Sequence, residues 1–115
     1  SNPVMLDVMG FASEEKFEYN YALAEGRRRA VVQVLKEKAI NTNLKLRVMG
    51  NDLPITEIDL EKLPSRFNNE TEMKEERERW IKSANSTDNR LFARAVIIEI
   101  LDNKFGNCSP TLEAN

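Results

Sequence analysis

The sequence predicts an α+β fold in which a mixed sheet of three or four strands carries helices packed on one face. Three observations point there. Alternating apolar residues open the chain, a long stripe at three- and four-residue steps follows, and two further strand-like runs come later. With 115 residues, 41% hydrophobic and 31% charged, the chain suits one domain with a single core.

The elements follow in order. Val4, Leu6 and Val8 alternate with Met5, Asp7 and Met9 before Gly10, which predicts a first strand with one well-buried face. Ser13, Glu14 and Glu15 predict a helix start, with a capping hydroxyl and two acids favoured by the helix dipole. Phe17, Tyr21, Ala24, Val31, Val32, Leu35 and Ala39 then lie along one helical stripe, ending near Ala39. Leu44, Leu46 and Val48 alternate with Lys45 and Arg47 in a second strand, which completes a β-α-β unit.

From Asn51 to Asn69 the two prolines and paired asparagines predict a long connection, with a short ordered piece at Ile55 to Leu60. Asn69 followed by Glu72 predicts a capped helix. Eight of the ten residues from Glu70 to Arg79 are charged, so only a narrow apolar edge of Met73, Trp80 and Ile81 is left to dock. Acid-before-base spacing at Glu70–Lys74, Glu75–Arg79 and Glu78–Lys82 predicts ion pairs along that helix. Ala95 to Leu101 is apolar enough for a strand buried on both faces, and residues 102–115 read as a loose tail.

Composition narrows the function classes. A net charge of −2 gives no overall attraction to nucleic acid or anionic bilayers. The absence of histidine and the presence of one cysteine, Cys108, argue against the usual zinc sites, hydrolytic nucleophile pairs and disulfides within the chain. We therefore expect no enzyme, no cofactor, no metal and no nucleic-acid partner. No apolar run reaches the length of a membrane span, and membrane association is expected only through parts of a longer parent protein. Cys108, near a polar end, reads as an idle thiol. Ser1-Asn2 reads as a remnant of expression.

The arginine run Arg27-Arg28-Arg29 is the local cationic feature. Consecutive helix positions point around most of a turn, so at most one or two of these side chains address a single ligand.

The pattern of Gly10-Phe11-Ala12-Ser13, then Asn20, Leu23, Ala24, Arg27, Arg28, Val31 and Leu35, is similar to the OmpA-like domain. In that family the corresponding stretch reads G-H-T-D followed by N-x-x-L-S-x-x-R-A-x-x-V-x-x-x-L. A second family motif, G-R-x-x-N-R-R-V-E-I, is met by Asn85-Ser86-Thr87, Arg90, Ala93, Arg94, Ala95, Val96 and Ile98. The resemblance covers 4–50 and 85–101, with 51–84 as an insertion inside a single domain spanning 4–101. The strand and helix that usually precede the first strand here are lacking. A cut upstream, a substitute from the insertion or tail, or a strand from a partner chain each accounts for that.

The resemblance implies a periplasmic domain of a Gram-negative outer-membrane protein that holds the diaminopimelate stem of peptidoglycan without a covalent bond. Arg27 would fork onto the ligand carboxylate. Asn20 and Arg94 keep further family positions. Ser13 stands where the family has an aspartate for the ligand ammonium, and Glu14 or Glu15 is the candidate replacement. The candidate ligand-binding residues are therefore Arg27, Asn20, Arg94, Ser13 and Glu14. The alternative is a degenerate OmpA-like module for protein–protein assembly in the cell envelope, including a homodimer.

Overall fold

The computed structural model describes residues 3–13, 16–84, 92–101 and 111–114. Strand β1 (Val4–Gly10) leads into helix α1 (Phe17–Thr42) and strand β2 (Leu46–Val48). Two 3-10 turns (Ile55–Glu57 and Leu60–Lys62), helix α2 (Glu70–Ala84), strand β3 (Val96–Ile100) and strand β4 (Thr111–Ala114) follow. The sheet order is β2-β1-β3-β4, with β1 and β2 parallel and the other two pairings antiparallel. The α+β class with a mixed sheet is thus present. The chain expected to be a loose tail adds a strand along its last part, while residues 102–110, with Cys108, lie outside the described residues.

Helix α1 is longer than the apolar stripe predicted. It begins at Phe17, behind Lys16 in the left-handed region (φ 52°), and no side chain caps it. Ser13 is therefore not its cap, and Glu14 and Glu15 lie outside the described residues. The helix continues to Thr42 and ends at Asn43, which is left-handed (φ 57°) and donates its backbone N–H to Ala39 O. Leu44 falls beyond this cap and is 55% exposed, so β2 starts later than its alternation suggests.

The helices do not share one face of the sheet. In β1, Leu6 and Val8 pack with Val32 and Ala39 of α1, and Gly10 abuts Ala24 on the same side. Asp7 and Met9 point the other way. There Met9 and Ile97 meet Met73 and Trp80 of α2, and the Trp80 indole N–H donates to Met9 Sδ at 3.3 Å. The sequence expectation of helices on one face is corrected: β1 is apolar on both sides, so each side needs a cover.

The sequence expectation for α2 holds at its start. Asn69 Oδ1 accepts from the Glu72 N–H at 2.9 Å, and Glu72 Oε2 accepts from the Asn68 N–H at 2.8 Å. Among the described residues, the ion pair within α2 is Glu76–Arg79 at 2.9 Å, and the three pairs spaced by four are not formed there.

The long connection from Asn51 to Asn69 is ordered well beyond the short piece expected at Ile55 to Leu60. It buries Ile55, Ile58, Leu63 and Phe67 against the two core clusters. Backbone outside a regular ladder must find other hydrogen-bond donors. Cations of α1 supply them: Arg28 donates to Pro64 O, Arg29 to Leu60 O and Leu63 O, and Lys36 to Ile58 O.

Candidate functional site

The predicted residues converge where β1 ends. A Cβ at Gly10 would lie 2.1 Å from Ala24 O, so only glycine lets the α1 backbone close onto the strand here. That contact sets the height of α1 over Phe11, Ala12 and Ser13. Phe11 N–H donates to Ala95 O at 3.0 Å, which keeps the chain alongside the entry to β3, and Phe11 and Ala12 are buried.

Asn20 and Arg27 are seven residues apart, two turns along one face of α1. Asn20 is 7% exposed and donates from Nδ2 to Ser13 Oγ at 3.0 Å. Arg27 Nη1 donates to Phe11 O and to Ala93 O, both at 2.8 Å. Arg94 follows Ala93 directly and is exposed. Ser13, Asn20, Arg27 and the backbone before Arg94 thus meet at one end of the sheet. Glu14 lies outside the described residues, as does the motif segment holding Asn85, Ser86, Thr87 and Arg90.

Two neutral carbonyls orient the Arg27 guanidinium without cancelling its charge. Among the described residues no carboxylate comes within ion-pair distance of Arg27 or Arg94. Nε and Nη2 of Arg27 also have no partner there. Such an edge can accept a carboxylate through two parallel hydrogen bonds.

The neighbouring arginines serve other purposes. Arg28 is 1% exposed and reaches the sheet edge. Leu6 O bonds the Met49 N–H at 2.6 Å on that edge, but β2 stops at Val48. Two residues on, Val8 O faces the same way, and Arg28 Nε takes the missing donor's place at 2.8 Å. Burial pushes the Arg28 guanidinium below its ordinary pKa, with Glu25 and Asp7 opposing and Arg66 and Arg29 reinforcing. Arg29 is turned to the carbonyls of Leu60 and Leu63.

A second polar cluster was not predicted as a unit. Arg66 pairs with Asp7 on β1 and lies 3.7 Å from Glu76 on α2, while its backbone N–H donates to Glu25 Oε1 on α1 at 3.1 Å. It links the connection to both helices and the central strand. The signal for it was Asp7, an acid among apolar residues on an inward strand, which must find a cation when buried.

A cavity of about 580 Å3 lies at the other end of β1, lined by Pro3, Ile40, Leu44, Arg47, Pro54 and Glu57 among others; it holds none of the predicted residues. The described residues contain no cluster of three potential metal ligands. No helix of the described residues is long and apolar enough to cross a membrane. Comparison of the chain with protein-family models, with characterised proteins and with solved structures gives no match.

Proposed function

We propose that the end of the sheet bearing Arg27 binds a carboxylate ligand, and that this ligand is the diaminopimelate stem of peptidoglycan. The domain would then act as a non-covalent wall anchor, not an enzyme, in the periplasm beneath a Gram-negative outer membrane. The observation that carries this reading is the Arg27 guanidinium, oriented by Phe11 O and Ala93 O with its Nε and Nη2 edge unpaired among the described residues. A preoriented arginine loses less freedom on binding a carboxylate. The motif resemblance supplies the choice of ligand, and Arg94 adds a second cation close in sequence to the bonded Ala93 carbonyl.

The ligand ammonium needs an acid that Ser13 cannot provide. Glu14 is our candidate. The test is co-sedimentation with purified diaminopimelate-type peptidoglycan, comparing the parent domain with Arg27→Lys, Arg27→Ala and Glu14→Gln. Sedimentation of the parent, with loss of about tenfold or more in affinity in each folded variant, is the expected result. A parent domain that stays in solution beside an anchor that pellets would overturn the proposal.

A second reading is favoured by exposed apolar side chains on α1, including Tyr19 and Val34 at 70% and 51% exposure. On that reading the domain is an assembly module of the cell envelope that does not bind peptidoglycan. Retention of an envelope protein by the domain, lost on substituting Tyr19 and Val34 by glutamate, is its expected signature.

A further inference from the structure

The outward side of α1 carries a seam that the wall-anchor reading leaves unused. Tyr19, Leu23, Gly26, Ala30, Gln33, Glu37 and Ile40 follow one another at alternating steps of four and three, the spacing by which a helix addresses another helix. Every one of them is exposed. Tyr19, Leu23 and Ile40 are 70%, 36% and 57% exposed, and Leu44, just beyond the helix end, is 55% exposed. A Cβ at Gly26 would meet nothing within 4 Å, so another backbone can come close at that point. The opposite side of the helix already packs on the sheet through Ala24, Val32 and Ala39. Large apolar side chains thus stand uncovered toward both ends of the outward side, with small and polar residues between them.

We propose that the cover is a second copy of this chain, with the two α1 helices antiparallel about a two-fold axis between Val31 and Val32. The seam is complementary to itself in that register. Leu23 meets Ile40 of the partner subunit, and Tyr19 lies over the helix end where Leu44 of the partner subunit is exposed. In the middle, Gly26 meets Glu37 of the partner subunit and Ala30 meets Gln33 of the partner subunit. Large apolar residues therefore meet each other at both ends, while small residues give room to the long polar ones at the centre. No acid meets an acid along the seam. Gln33 and Glu37 are already joined by a hydrogen bond of 3.0 Å, which satisfies part of their polarity before contact. A reversed pair also obeys the self-matching that a two-fold contact requires.

Size limits the strength. From Tyr19 to Ile40 the seam runs about 33 Å, and a strip one helix wide buries on the order of 700 Å2 in total, below the standard size for a stable complex. The dimer is accordingly weak and reversible. It leaves Arg27 on the flank, bound to Phe11 O and Ala93 O, so it stands or falls independently of peptidoglycan binding.

Sedimentation velocity, taken up to about 1 mM because a small contact is populated only there, is the first measurement. A reversible monomer–dimer equilibrium is expected, weakened about tenfold or more by Leu23→Glu and by Ile40→Glu, with unchanged circular dichroism since both residues are exposed. Direction is read by disulfide trapping in a Cys108→Ser background. The Leu23→Cys chain should cross-link to the Ile40→Cys chain faster than either links to itself. A monomer throughout the range, a dimer indifferent to Leu23→Glu, or preferential self-linking of the Leu23→Cys chain each overturns the proposal.

Discussion

Arg66 forks onto Asp7, with Nε 3.0 Å from Oδ1 and Nη2 3.2 Å from Oδ2, so an arginine from the long connection is clamped to β1, an inner strand of the sheet. Asp7 is 4% exposed, and among the described residues Arg66 is the cation within ion-pair distance of it. Removing one partner of such a pair strands the other, whereas removing both need not. Asp7→Ala is expected to lower unfolding free energy by about 3–5 kcal/mol. The double variant Asp7→Leu with Arg66→Met should recover much of that loss. Urea denaturation of the three chains checks both statements, and a double variant worse than the single one would contradict the clamp.

The two arginines Arg27 and Arg28 separate binding from stability. Arg28 satisfies Val8 O and Pro64 O and stands 3.9 Å from Glu25 in the interior. Arg28→Met is expected to cost about 3 kcal/mol or more, because those groups stay buried without donors. Arg27→Lys should cost less in stability while reducing carboxylate binding, since an ammonium cannot reproduce the forked geometry. Thermal melts beside peptidoglycan sedimentation distinguish the two outcomes.

Gly10 and Gly26 should respond in opposite directions to the same substitution. At Gly10 the new methyl group would overlap Ala24 O, so Gly10→Ala should destabilise by about 1–3 kcal/mol or prevent folding. At Gly26 the space is open and the position lies inside a helix. Gly26→Ala should therefore stabilise by up to about 1 kcal/mol. Denaturant midpoints measured together decide this.

The start of α2 should weaken in acid. Hydrogen bonds from Asn68, first from its backbone and then from its side chain, hold the Glu72 carboxyl below its ordinary pKa. A folded-state pKa depressed in this way contributes stability that is present above the unfolded value and lost as pH falls through the folded value. Protection of the amides at Asn68 to Met73 should therefore decline below the ordinary glutamate range, ahead of the β1 core. Asn69→Ala should cost about 1 kcal/mol at neutral pH. Amide exchange measured against pH provides the check.

The local signals reached a good part of the architecture. The inward stripe from Phe17 to Ala39 corresponds to the packed side of α1, and Asn69 with Glu72 marked the start of α2, because spacing and capping are set by neighbours in the chain. The candidate residues Ser13, Asn20 and Arg27 could be named because their motif resembles that of the OmpA-like domain, and the seven-residue step puts Asn20 and Arg27 on one face of α1. Their meeting with Ala93 could not be derived from that step.

By itself the sequence determined an α+β chain with a β1-α1-β2 unit, a capped charged helix and a cationic run of which few members could share a target. Only the tertiary structure decided that Arg28 and Arg29 are spent on carbonyls and that Arg27 is left with an unpaired edge among the described residues. It also decided that α2 covers the opposite face of β1, that β4 extends the sheet, and that the connection contributes to the core. The reason is physical. Helical periodicity and caps are local, but which carbonyl lacks a donor depends on where β2 stops beside β1, and no spacing within the chain records that.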